Sequence, residues 1–348
     1  MRRSSVYHAM IRAIVLSVAL VAGLAGLTAP APAQEVARID IVPELKALCE
    51  DDDASACTRL GDRLLEGNGI GRDDALGVAT LGKACQLGDM PGCTMTGFAY
   101  GKGQGVAQSA DIARAYYAYA CHGGEATGCS NLGLAYINGV GVPKNDARAA
   151  ALFERACTND STAGCANLGA SYSLGRGVPR DHRRAARLFR QACNADDQHA
   201  CYNLGVLYRD GLGLRRDYKR AIALFEPSCE AKDPSACGNL ANMIDDGRGA
   251  ARDRQRALDL HDEACGLGEA ESCFTLGRAY QTGNGRERDD AQAIALLERS
   301  LALDPNSPLP KSIFRDGAQP GPADMMISRT PVSAATWPTR AKISAFSV

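Results

Sequence analysis

Apolar residues recur along the chain with a helical period, and the helices they predict recur in pairs. Cys165, Leu168 and Tyr172 fall at i, i+3 and i+7, and Cys201, Leu204 and Tyr208 repeat the stripe 36 positions later. That spacing puts the three side chains on one face of a helix. A second stripe, Ala149, Leu152, Phe153 and Ala156, at i, i+3, i+4 and i+7, predicts a second amphipathic helix in the same unit. Polar residues precede both. Asp53, Asp89, Glu125, Ser161, Asp197, Asp233 and Glu269 stand where the first helix begins; Asp73, Ser109, Asn145, Asp181, Asp217, Asp253 and Asp289 stand where the second begins. Such side chains accept hydrogen bonds from the orphan amides of a first turn. Between the helices runs Gly-x-Gly, as in Gly139-Val140-Gly141 and Gly175-Arg176-Gly177. Glycine suits a chain leaving a helix in the left-handed conformation. Gly169 and Gly205, beside the core leucines, predict close helix–helix approach. The pattern therefore predicts an all-α array of seven 36-residue αα-hairpins.

The N-terminus reads differently. Arg2, Arg3 and Arg12 flank the apolar run from Ala13 to Leu27, and Ala31-Pro32-Ala33 offers small residues for cleavage. This is the pattern of a signal peptide over residues 1–33, with the repeat solenoid over 34–303. The chain is expected to be periplasmic or secreted and to meet the membrane only during export. Residues 304–348 lose the helical period and are rich in Pro, Ser and Ala, which predicts a disordered tail.

Fourteen cysteines form seven C-x7-C pairs in register: 49 and 57, 85 and 93, 121 and 129, 157 and 165, 193 and 201, 229 and 237, 265 and 273. An even count in an exported chain points to disulfides. Two schemes join cysteines on one rim of the stack. The short one pairs Cys49–Cys57, Cys85–Cys93, Cys121–Cys129, Cys157–Cys165, Cys193–Cys201, Cys229–Cys237 and Cys265–Cys273. The long one pairs Cys57–Cys85 through Cys237–Cys265 and strands Cys49 and Cys273, so counting favours the short scheme. A partial helix from about Pro43 to Cys49 would give its first pair something to tie down. Only five histidines occur, and none recurs in register, so the cysteines are not read as zinc ligands and no metal or other cofactor is expected. Redox motifs use C-x-x-C, which the regular C-x7-C staples do not resemble.

The run A-C-x7-C-x-N-L-G-x-x-Y-x-x-G-x-G-V-P, from Ala156 to Pro179, resembles the Sel1-like repeat family and in particular the Helicobacter cysteine-rich proteins. The resemblance covers residues 44 to 303. It implies a right-handed superhelix with a concave groove, the short disulfide scheme, and adaptor roles. It also implies β-lactam binding or weak β-lactam hydrolysis in some cysteine-rich relatives.

Charge and chemistry narrow the function. The formal net charge is −1, and removal of Arg2, Arg3 and Arg12 makes it −4. No block of like charge calls for nucleic acid. A serine β-lactamase needs an activated serine, typically S-x-x-K, and the chain has none; nor does it have a histidine cluster for a metal-dependent one. A catalytic residue is therefore not assigned. The binding candidates are Asn131, Asn167, Asn203 and Asn239, one per unit, each two residues after a cysteine. An amide offers both donor and acceptor to an extended peptide. The competing role for this ladder is to bond neighbouring helices. Arg209, Asp210, Asp245 and Asp246 are candidates for added specificity or a solvated face. His261, where sibling units have Phe or Leu, is expected to be a satisfied core residue. The expected function is an exported binding scaffold that holds a peptide, protein segment or cell-wall fragment in its groove. The alternative is a β-lactam-binding protein or weak β-lactamase.

Overall fold

The computed structural model describes residues 41–305. The expected signal peptide and all but the first two residues of the expected tail lie outside that range. Fifteen helices and no strand occur among the described residues. Helix α1 (Val42–Glu50) is followed by seven hairpins. These are α2 (Ala54–Glu66) with α3 (Asp74–Gln86), α4 (Met90–Lys102) with α5 (Ala110–His122), and α6 (Ala126–Asn138) with α7 (Asp146–Thr158). Next come α8 (Thr162–Leu174) with α9 (His182–Cys193) and α10 (Gln198–Asp210) with α11 (Tyr218–Glu230). The last are α12 (Pro234–Asp245) with α13 (Arg254–Gly266) and α14 (Ala270–Thr282) with α15 (Asp290–Leu303). Every helix packs on its neighbours in sequence, which is the contact pattern of a solenoid.

All fourteen expected caps form. Asp53 accepts from the Ala56 amide at 2.8 Å and Asp181 from the Arg184 amide at 3.0 Å. Cap by cap, each saves an amide that would otherwise lack a partner, worth about 1 kcal/mol. The two glycines between the helices do different work. Gly175 takes φ +72° to end α8, and Gly177, also at +72°, lies against the start of α7 in the preceding repeat. A Cβ there would stand 2.0 Å from the Asp146 carbonyl oxygen. The second glycine is thus where successive repeats meet backbone to backbone.

Within each hairpin, a glycine of the first helix receives a large side chain of the second. A Cβ on Gly133, Gly169 or Gly205 would come within 2.5, 2.8 and 2.7 Å of the rings of Phe153, Phe189 and Phe225, all three fully buried. Repeat six swaps both partners: Ala241 stands for the glycine and the smaller His261 for the phenylalanine. His261 is 1% exposed, and its Nδ1 lies 2.9 Å from Ser272 Oγ of the next repeat. It is a core residue as expected, but only partly satisfied, because its Nε2 is buried without a hydrogen-bond partner. Burial lowers its pKa to about 4.

The short disulfide scheme is the one formed, joining Cys49–Cys57 through Cys265–Cys273 with Cα–Cα distances of 4.5 to 4.7 Å. Each link ties the last turn of one helix to the first turns of the next, across the joint between hairpins. Helix α1 supplies Cys49, so the leading helix also closes the first repeat.

Candidate interaction surface

The first helix of each repeat carries one row of outward positions at i, i+4, i+7 and i+11. In α2 these are Ser55, Arg59, Asp62 and Glu66; in α4 they are Pro91, Met95, Phe98 and Lys102. Phe98 is 43% exposed, beneath the Lys102 ammonium at 5.6 Å. Toward the middle of the array the row closes. Ala170 and Val206, two of its members, are buried.

The asparagine ladder lies in the second position of this row, and its members are not equivalent. Asn131 and Asn239 are half-buried, whereas Asn167 and Asn203 are 7% and 3% exposed. Asn239 serves the stack. Its Nδ2 donates to the Ser235 carbonyl at 2.8 Å and to Tyr202 Oη of the preceding repeat at 3.1 Å, and its Oδ1 accepts from Arg209. Burial pushes the Tyr202 phenol up to about 12, so it stays neutral and can accept that bond. The Asn131 and Asn167 side chains engage no protein partner among the described residues. Their amides keep full capacity for a ligand.

Arg209 and Asp245 are also internal. Arg209 Nε reaches Asp210 at 2.7 Å, and Asp245 holds Arg254 and, at 3.7 Å, Arg252. Asp246 lies 3.4 Å from Arg248. His199, exposed on α10, has Nδ1 3.5 Å from Asp233, which raises its pKa through the hydrogen bond.

Two constellations that invite a chemical reading are closed. Ser272 beside His261 is a serine–histidine contact, but both are 1% exposed, so no substrate carbonyl reaches that hydroxyl. Cys229, Cys237 and Glu263 come together within 4.8 Å, but both sulfurs are spent in a disulfide and offer no thiolate.

The sequence reading overlooked a basic cluster in repeat four. Arg176, Arg180, Arg183, Arg184, Arg187 and Arg190 occur within fifteen positions, with Asp181 the sole acid among them. A count of charge per repeat, in place of charge over the chain, would have found it.

Comparison with known proteins places this architecture. The Sel1 repeat matches seven times, over residues 54–89, 91–125, 126–161, 162–197, 198–233, 234–269 and 270–305. Among solved structures, a protective antigen of uropathogenic Escherichia coli strains displaying an SLR fold is similar at 26% identity and a TM-score of 0.65. The match covers 75% of this chain and 56% of that one, so this chain spans little more than half of that relative. A Sel1 repeat protein from Oxalobacter formigenes matches at 24% identity and a TM-score of 0.64, over 76% of this chain and 99% of that one. The Helicobacter pylori cysteine rich protein B is 32% identical over 38% of this chain and 96% of its own, with a TM-score of 0.32. No curated protein matches the sequence. With seven repeats in register through the described residues, the chain belongs to the Sel1 repeat family.

Proposed function

We propose that the protein is an exported scaffold that holds a peptide or protein segment along the outward row of its first helices. One observation carries the reading: the repeats hold their frame constant and vary the first position of that row. Cysteines, caps and inter-helix glycines recur in all seven units. The first position of the row runs Ser55, Pro91, Thr127, Ala163, His199, Ser235, Glu271. A surface that only completed a stack would need no such variety, whereas recognition by an array uses a different contact in each repeat. Asn131 and Asn167 supply the unengaged amides for a bound main chain. Seven disulfides point to an oxidising compartment, and with the N-terminal pattern they support a periplasmic or secreted site of action.

The test is capture from the source cell's own envelope extract with the purified chain, followed by titration of the captured protein. Asn131→Ala with Asn167→Ala should weaken binding about tenfold while leaving the melting curve in place. Loss of melting temperature without loss of affinity, or no saturable partner, would refute the reading.

A further inference from the structure

Nine arginines of the array pair with carboxylates, and among those that do not, one set is concentrated in a single repeat. Arg72, Arg209, Arg220, Arg248, Arg252, Arg254, Arg256, Arg286 and Arg288 each lie within 4.0 Å of a carboxylate. Arg180, Arg183, Arg184 and Arg187 form no ion pair among the described residues, and all four are exposed. Asp181, the acid in their midst, caps the helix: its Oδ1 accepts from the amides of Arg183 and Arg184 at 2.9 and 3.0 Å, with a smaller attraction to the Arg187 and Arg184 side chains.

Three of these arginines line a recess, and Arg187 follows on the same helix. A cleft of about 510 Å³ is lined by Tyr172, Pro179, Arg180, Asp181, His182, Arg183 and Arg184, with Gly213 of the next repeat, so three arginines share its wall with one carboxylate. The Arg184 guanidinium lies 4.6 Å from the centre of the Tyr172 ring, which holds it in place without neutralising it. His182 Nδ1 is buried without a hydrogen-bond partner. The recess therefore combines guanidinium donors, one of them stacked on an aromatic ring, with a capping carboxylate and a proline wall.

We propose that this cleft is a docking site for an acidic peptide segment of a partner protein, a proposal that rests on the scaffold reading above. The chemistry favours carboxylates: guanidinium forks match them in two-point geometry, and none of the four forms an ion pair within 4.0 Å among the described residues. A peptide fits better than the other polyanions. The cluster belongs to one repeat of a chain with a net charge of −1, too short a track to follow a nucleic-acid backbone and too local to hold an anionic bilayer.

The experiment measures fluorescence anisotropy of fluorescein-labelled (Glu-Gly)5 with the purified full-length product, beside (Gln-Gly)5. Saturable, salt-sensitive binding of the Glu peptide alone is expected. Arg180→Glu with Arg183→Glu should weaken it at least tenfold; Lys46→Glu with Lys144→Glu, an equal charge change on exposed residues outside repeat four and outside the row, should change it less than twofold. Arg187→Gln, a single exposed change, should weaken it about threefold and guards against misfolding of the double variant. Equal loss in both double variants, equal binding of the Gln peptide, or no binding overturns the proposal. So does arginine-dependent binding of phosphatidylglycerol vesicles or oligo-dT in place of the peptide. Failure here with a captured envelope partner leaves the scaffold standing; peptide binding with no captured partner sinks the scaffold reading alone.

Discussion

Repeat six offers a double-mutant cycle in which nature has already swapped both partners. In repeat five, Gly205 faces the fully buried Phe225, and a Cβ would stand 2.7 Å from ring carbon Cε1. In repeat six, Ala241 and His261 occupy those places, both buried. His261→Phe alone should press a larger ring onto the Ala241 methyl group and remove the Ser272 contact. Overpacking of this kind costs about 1–3 kcal/mol. Ala241→Gly alone should cost about 1 kcal/mol in helix propensity, plus the loss of a packed methyl group. Together, the two changes rebuild the Gly–Phe pair of repeat five. The double variant should therefore be at least 1 kcal/mol more stable than the sum of the singles. The cycle has a second readout in pH. Burial lowers the native pKa of His261 to about 4, against an ordinary value of 6.5. Below pH 6.5 the unfolded chain binds a proton that the native core rejects, so stability falls until about pH 4, where the native imidazole also charges. At about 1.4 kcal/mol per unit, the full window is worth about 3 kcal/mol. The double variant should lose that component of the slope. Urea melts from pH 7 to 4, with amide exchange in α12 and α13 to follow the local event, make the comparison. Additive singles, or an unchanged slope between pH 6.5 and 4, would refute the reasoning.

Other predictions concern the frame and the ladder. Gly177→Ala forces a side chain into φ +72° and against the Asp146 carbonyl, and should cost about 2 kcal/mol or more by chemical denaturation. Gly82→Ala, in α3 with nothing within 4 Å of the new Cβ, should instead stabilise by up to about 1 kcal/mol. Asn239→Ala breaks the links to Tyr202 and Arg209 and should destabilise by about 1–2 kcal/mol, a cost that a thermal melt without ligand would reveal. Replacing Cys193 and Cys201 by Ser opens one short loop and should cost about 2.6 kcal/mol, read as earlier unfolding under non-reducing conditions; an unchanged midpoint would mean that the link restrains nothing.

Much of the fold was legible because a repeat shows its register many times over. The caps, the Gly-x-Gly hinges and the C-x7-C staples depend on residues close in sequence, and the structure forms each where the pattern put it. The ladder was legible as a row but not as a set of roles. Whether an asparagine is engaged depends on the repeat beside it: Asn239 meets Tyr202 and Arg209, while Asn167 has Ser130 and Ile137 at the matching places. The basic cleft was missed because charge was judged over the whole chain, where the acids that pair other arginines cancel it. Asp181 looks like a counter-ion in sequence, and the structure spends it as a cap.

The scaffold reading is tested most directly by site-specific photo-crosslinking in the source cells. A photoreactive residue replaces Ala163, exposed on the row of α8, or Glu154, exposed on α7 outside that row. The scaffold reading predicts a discrete adduct with one envelope protein from position 163 and none from 154, and a weaker adduct when Asn131→Ala and Asn167→Ala are introduced into the same chain. No adduct from 163, or the same adduct from both positions, would contradict it.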